Sequence, residues 1–405
     1  MNRIFFFFLF LFIFLTGCKD GKFLPERTEV DKLNFVRAMA LDKGSIPNTI
    51  KVTITSKEEK FDAGEGNESG SGGGHSKIIV ATSEAETVFT AVRSFQSSTD
   101  KRLSFGHTDF ILIGEDMAKE DISGYFDFIT RDHEIRLTSL VYLVRGEASD
   151  ILYMSNSSQN FLPDRLKNLS DSVELLSISS KMEIYQFEAQ FDKNNIYAIA
   201  VPSLEAIEKK YISPNSDKEP SKDININGYG IIKNYKLIGF INNSMARAYN
   251  FIVNEVGSGA IDIKNKDDRL VSMEIIGSET EIIPKIEENE LAGIIIKTKF
   301  YTNINEAQVR TDILAKENIN FLKQQQTNKI NEEMKSLLKY AKENKADFLK
   351  IGQKIMLKHP VIWDKIKNQW DEVFSTLDID IEIESIIMRT YDLEDPGRYK
   401  EDEKY

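Results

Sequence analysis

The chain has 405 residues, a net charge of −12 and 41% hydrophobic residues. That is enough apolar material for two or three packed domains. The acidic balance argues against nucleic-acid binding, which needs a basic face, and against polybasic docking on anionic lipid. One cysteine, Cys18, excludes a disulfide framework, so stability must come from packed cores.

The N-terminus reads Arg3, then twelve apolar residues from Ile4 to Leu15, then Thr16-Gly17-Cys18. A basic start, a short apolar run and small residues before a cysteine make a secretory signal peptide. The run is too short to span a membrane, which takes about 20 apolar residues. Leu15, Thr16, Gly17 and Cys18 fit a bacterial lipobox. The Cys18 thiol would accept diacylglycerol, and small Thr16 and Gly17 would admit the peptidase. Two acyl chains hold a protein stably at a membrane. Residues 1–17 are therefore expected to be removed, and 18–31, polar and carrying Pro25, to form a tether.

Residues 32–205 read as a mixed α/β domain. Asn34 to Asp42 and Ile50 to Ser56 are strand-like, the second alternating Val52 and Ile54 with Thr53 and Thr55. The Gly/Ser-rich stretch from Asp62 to Ser76 predicts a flexible loop and matches no phosphate-binding pattern. Lys77 to Ala81 resumes as strand. Ser83 and Glu86 have the spacing of a capping box, opening a helix with the stripe Ala85, Val88, Phe89, Val92 and Phe95. Phe110 to Ile113 is a buried strand, Ile122 to Ile129 a helix, Leu137 to Val144 a strand, Phe161 to Phe191 helix-prone and Asn195 to Pro202 a strand. Alternating strands and helices predict mixed sheets covered by helices.

The polar stretch 206–225, with Pro214 and Pro220, is expected to link domains. Residues 226–304 would form a β-rich middle domain. It opens with a hairpin, Gly228 to Ile232 and Lys236 to Ile241, turning at Asn234-Tyr235. Ser244 to Val253 is helical and Leu291 to Tyr301 a long strand. Residues 305–392 would be a helical C-terminal domain with a closing strand. Its long helix, Glu306 to Glu343, packs across a sheet; Gln324-Gln325-Gln326 breaks any heptad. Val361 to Phe374 reads as one helix with Trp363 and Trp370 on one side. Leu377, Ile379, Ile381 and Ile383 alternate with Asp378, Asp380, Glu382 and Glu384, a strand with one wet face. Residues 393–405 form a charged tail, expected to be disordered.

The residues offer no enzyme. His75, His107, His133 and His359 lack metal-ligand spacing, and no G-x-S-x-G elbow occurs. The strand carboxylates spread too far to share one cation. Arg131, Asp132, His133, Glu134 and Arg136 read as an ion-paired surface, because no nucleophile lies nearby. The two tryptophans read as core or interface rather than a ligand platform.

Several ordered blocks resemble the Ger(x)C family, the C subunits of nutrient germinant receptors in spore-forming bacteria. They are the lipobox, Phe35 to Lys43, Ser83 to Glu86, Arg102 to Glu115, Asp127 to Arg136, Gly146 to Leu152 and Asn227 to Phe240. The most specific is Ala346-Asp347-Phe-Leu-Lys-Ile-Gly352, followed by Pro360, Trp363 and Trp370. One departure is Lys19-Asp20 where the family often has Trp-Asp. The resemblance implies a non-enzymatic, multi-domain lipoprotein on the outer face of the spore's inner membrane. It would assemble with integral-membrane A and B subunits, carry no cofactor beyond lipid on Cys18, and support nutrient-triggered germination. A solute-binding lipoprotein of a transporter is the alternative; it would need two similar lobes, which the sequence lacks.

Overall fold

Two strands without an exposed residue, β5 (Phe110–Gly114) and β6 (Leu140–Val144), form the centre of the first sheet. The computed structural model describes residues 29–57, 78–97, 99–154, 161–191, 198–208, 222–308, 313 and 315–390. The N-terminal strands β1 (Leu33–Lys43), β2 (Ile50–Lys57) and β3 (Ile78–Ala85) run as an antiparallel meander. The short β4 (Arg102–Ser104) adds in parallel to the start of β1. Beyond β6 come β7 (Ala198–Glu208), β8 (Lys222–Lys233) and β9 (Lys236–Ile241). The order is β3-β2-β1-β5-β6-β7-β8-β9, parallel from β1 through β7 and antiparallel at both ends.

Period-2 alternation sorts this sheet's residues to two covered faces. Met39, Leu41, Ile111, Ile113, Val141 and Leu143 face α1 (Val88–Ser94), α3 (Ser123–Arg131) and α6 (Ile184–Phe191). Ala38, Ala40, Phe110, Leu112 and Tyr142 face α4 (Ala148–Tyr153) and α5 (Leu162–Ser172). A single turn, α2 (Glu115–Ala118), follows β5. Asp42, at the end of β1, holds the start of α4. Its carboxylate accepts from the Ala148 amide at 2.7 Å and the Ser149 amide at 2.8 Å. Burial raises its pKa against those two amides.

The second sheet has the order β10 (Gly259–Lys264), β11 (Leu270–Glu287), β12 (Glu290–Ala307), β13 (Ile379–Thr390). β11 and β12, each 18 residues long, form a hairpin, and β13 runs parallel to β12 along its free side. The long helix α8 (Lys316–Glu343) covers one face, and α7 (Asn243–Val253) lies between the two sheets. One core joins them: Ala200, Tyr229 and Ile231 of the first sheet pack with Phe251 of α7, Phe300 of β12 and Met334 of α8. The architecture is mixed α/β, two mixed sheets with helices, including the long C-terminal one.

Several local expectations shift. Ser83 lies in β3, which pairs with β2 as far as Ala85 opposite Ile50, so no capping box forms there. The helix begins later, with Thr87 as N-cap accepting from the Thr90 amide at 3.1 Å, and Phe89 of the expected stripe points to solvent. The long helix starts at Lys316 rather than Glu306, because β12 stays paired with β11 through Ala307. Phe161 to Phe191 divides into α5 and α6 around a turn. The hairpin at Asn234-Tyr235 is as expected: both residues have positive φ, 50° and 61°, the geometry of a type I′ turn.

The stretch 206–225 connects two neighbouring strands of one sheet. β7 and β8 pair from Ala198 opposite Lys233 to Glu208 opposite Lys222. Of the 226–304 region, β8 and β9 complete the first sheet, and β10 to β12 build the second. The 305–392 region supplies α8, three short helices and β13, the second sheet's edge. The tail 393–405 and the loop 62–76 lie outside the described residues.

Candidate functional site

The block Ala346 to Gly352 folds into the turn after α8. Lys345 and Lys350 both adopt left-handed backbone, φ 49° and 64°, reversing the chain twice within six residues. Ala346 is fully buried. Asp347, also buried, accepts from the Ile351 amide at 3.1 Å and the Gly352 amide at 2.6 Å. These are free N–H groups of the first turn of α9 (Ile351–Lys358), so a side chain four residues upstream caps that helix. The same carboxylate accepts from the Trp370 indole N–H at 3.1 Å. Burial raises the Asp347 pKa; the Gly352 and Ile351 amides and the indole oppose it.

Gly352 lies against both tryptophans. A Cβ there would stand 2.9 Å from the Trp363 ring and 2.9 Å from the Trp370 ring, so only glycine fits without movement. Pro360 opens α10 (Pro360–Ile366), where its missing N–H costs no hydrogen bond. The single helix expected from Val361 to Phe374 is broken by a 3₁₀ turn at Lys367–Gln369, after which α11 (Trp370–Thr376) begins. The break turns the indoles towards each other, edge to face at 5.3 Å and 66°, with Phe374 beyond. Ala346, Asp347, Gly352, Trp363 and Trp370 thus belong to one packed knot, while Pro360 is exposed at the start of α10. The knot holds no nucleophile, and its one carboxylate is occupied by donors.

Beside this knot lies a cleft of about 310 Å³ between α6, β7, α7 and α9. Ala198, Ala200 and Met356 supply apolar wall; Tyr249, Glu255, Lys350, Gln186 and Gln353 supply polar groups. Lys350, from the family block, joins the knot to the cleft. Tyr249 is 3% exposed, its phenol pushed well up by burial and by the Glu255 charge. Neither Tyr249 nor Glu255 stood out in the sequence, because the cleft forms only when α7 and α9 meet.

The other sequence candidates lie elsewhere. Leu15, Thr16, Gly17, Cys18 and His75 lie outside the described residues. His107 packs edge-on against Phe35 at 4.6 Å, and His359 sits at the junction of α9 and α10. Around His133, Arg131 pairs with Asp127 at 2.7 Å and Glu134 with Arg102 at 3.7 Å, an ion-paired surface beside an open groove. The β13 carboxylates form a ladder with lysines: Asp380 with Lys285, Glu382 with Lys297 at 4.0 Å and Glu384 with Lys299 at 3.8 Å. No group of three or more His, Cys, Asp or Glu residues that could hold a metal ion occurs among the described residues. No helix among them is long and apolar enough to cross a membrane.

Residues 26–206 match the family model described as spore germination protein N-terminal domain, and residues 227–391 the one described as spore germination B3/GerAC like, C-terminal. Spore germination protein B3 of Bacillus subtilis is 25% identical over 376 residues, covering 91% of this chain and 92% of that protein. Spore germination protein KC of the same organism is 23% identical over 402 residues, covering 93% and 92%. The crystal structure of the GerBC protein superposes with a TM-score of 0.55 at 20% identity, covering 89% of this chain and all of that one, a likeness of fold. With two consecutive family models spanning nearly all of its described length, the chain belongs to the Ger(x)C family of spore germination proteins.

Proposed function

We propose that this protein is the lipid-anchored C subunit of a nutrient germinant receptor. The observation that carries the reading is the family match, which runs through both halves at nearly full length. Cys18 carries diacylglycerol after removal of residues 1–17, and its two acyl chains hold the subunit at the outer face of the spore's inner membrane. Protein–protein contacts join it to integral-membrane A and B subunits. It performs no catalysis; its contribution is to assembly and response of the receptor. The filled, hydrogen-bonded knot around Asp347 suits a structural part better than a reactive one.

The test is a spore strain carrying Cys18→Ala, examined by membrane fractionation and by germination. The expected result is loss of the protein from the membrane fraction and failure of nutrient germination, with germination by a route independent of nutrient receptors intact. Normal nutrient germination despite lost anchoring would overturn the reading.

A further inference from the structure

α9 and α10 meet at a corner. His359 between them has φ −138° and ψ 64°, and its carbonyl accepts the Ile362 and Trp363 amides at 3.1 and 3.0 Å, starting α10 at once. Ile355 and Trp363 anchor the corner in the core. Leu357 and Val361, either side of it, are 68% and 72% exposed, the two most exposed large hydrophobic side chains among the described residues. Apolar side chains scattered singly are ordinary on a surface, but two on one rigid corner, with exposed Pro360 between them, form a patch. Lysines flank it. From Lys350 to Lys367 the chain has five lysines and one acid, Asp364. Lys358 pairs with Glu281 at 3.0 Å and Lys367 with Asp364 at 2.8 Å. Lys354 and Lys365 are exposed and have no ion-pair partner among the described residues.

The corner also lies towards one particular end of the first sheet. Gln353 and Met356 of α9 share a cleft with Ala198 and Ala200 at the start of β7. Ala38 pairs with Phe110, Phe110 with Leu140, and Leu143 with Ser203, so Ala200 stands level with Ala38 on parallel β1, which begins shortly before at Leu33. α9 is therefore near the end of the sheet at which the chain enters. Glu29 is the eleventh residue after Cys18, and eleven residues span at most about 40 Å. Lipid on Cys18 would bring this end nearer the bilayer than Ile46, which follows the far end of β1.

We propose that the α9–α10 corner docks on a bilayer surface containing anionic lipid, a membrane contact separate from the lipid on Cys18. Leu357 and Val361 enter the boundary between headgroups and acyl chains. Lys354 and Lys365 lie among the phosphates with their stems along the apolar surface. The chain as a whole carries −12, so repulsion elsewhere confines the contact to this corner. Docking fixes how the folded part sits on the membrane, which lipid on a tether alone does not. The orientation rests on the lipid reading of Cys18; the binding is measured without that lipid, so the two readings fail separately.

The test uses the mature chain, residues 18–405, with Cys18→Ala, so that no lipid is attached and no cysteine remains. Vesicles of phosphatidylglycerol mixed with phosphatidylcholine should bind it about tenfold more strongly than phosphatidylcholine alone, and less strongly in high salt. An environment-sensitive dye on Val361→Cys should shift its emission to the blue on the mixed vesicles. The same dye on Ile46→Cys, at a position 61% exposed, should not. Leu357→Ser with Val361→Ser, and Lys354→Gln with Lys365→Gln, should each weaken binding about fivefold or more. All four positions are exposed, so both variants should fold, and the fluorescence of buried Trp363 and Trp370 checks it. Absence of binding, equal binding to neutral vesicles, unchanged binding by either double variant, or equal response of the two dyes would overturn the proposal. So would a Val361→Cys dye that stays silent on vesicles yet responds to protein from detergent-solubilised spore inner membrane, which would assign the corner to a protein partner.

Discussion

Arg247 on α7 and Glu333 on α8 face each other as a two-pronged pair, Nε to Oε2 at 2.9 Å and Nη2 to Oε1 at 2.5 Å. Both are largely shielded, with side chains 14% and 8% exposed. Arg247 also donates to the Ala260 carbonyl at 3.2 Å, so one guanidinium ties the inter-sheet helix, the long helix and β10.

Removing one member of a buried pair strands the other. Glu333→Leu should cost roughly 3–5 kcal/mol, and the double change Arg247→Met with Glu333→Leu much less. A double-mutant cycle by urea unfolding checks this. A double change that costs the sum of the two single changes would show that the pair is uncoupled.

Gly352→Ala should destabilise by about 1–3 kcal/mol, because its methyl group would press into both indoles. The chain has two tryptophans, Trp363 and Trp370, and both are buried in this knot. Intrinsic fluorescence therefore reports directly on it. A lower unfolding midpoint with a red-shifted native emission is the expected signature, and wild-type values for both would refute the packing argument.

Asp347 gives a pH effect of definite sign. Its folded pKa is raised above the ordinary 3.8 by burial. Between 3.8 and that folded value the native chain holds a proton that the unfolded chain has released, so stability from this group falls as pH rises and stays lost above the window. Asp347→Asn cannot titrate. Wild-type stability minus that of Asp347→Asn should therefore decrease as pH climbs above about 4, the unperturbed Asp value. Unfolding curves at several pH values test it, and a difference that grows with pH would contradict the buried, proton-retaining carboxyl.

The β13 ladder should matter little to stability. Its members are exposed, and exposed ion pairs contribute marginally and are screened by salt. Asp380→Asn, Glu382→Gln and Glu384→Gln combined should leave the melting temperature essentially unchanged at physiological salt. The same substitutions remove charge from a sheet edge, where charge blocks pairing with another chain. Light scattering during thermal unfolding should therefore rise sooner than in wild type.

Local chemistry was readable where it acts alone. The Asn234-Tyr235 turn and the strict alternation from Leu377 to Glu384 each carry their own geometry: the first closes the β8–β9 hairpin, and the second runs into β13 from Ile379 on. It failed where tertiary pairing decides. Ser83 and Glu86 have capping-box spacing, yet a full register of ladder bonds with β2 holds Ser83 in a strand. Glu306 looks helical by composition, but β11 offers it a partner in Ser272. The seven-residue spacing of Trp363 and Trp370 suggested one helix face; the 3₁₀ turn between them makes a ring-on-ring contact instead. The family block was visible as a pattern, but the reason for its glycine and aspartate appears only when α9 and α11 are brought together. Tyr249 and Glu255 had no signal at all, since nothing in their neighbourhood of sequence marks a cleft built by distant elements.

The pairing of β7 with β8 bears on how this protein can be divided. The two strands lie on opposite sides of the junction between its two family matches, yet they share a ladder from Ala198 to Glu208. Each half made separately would present that ladder as a raw edge and lose the residues with which Tyr229 and Ile231 share a core. Two polypeptides severed between Glu208 and Lys222 should instead reassemble when produced together, each serving as the other's template. The protein thus matches two family models yet folds around one ladder that both matched regions share.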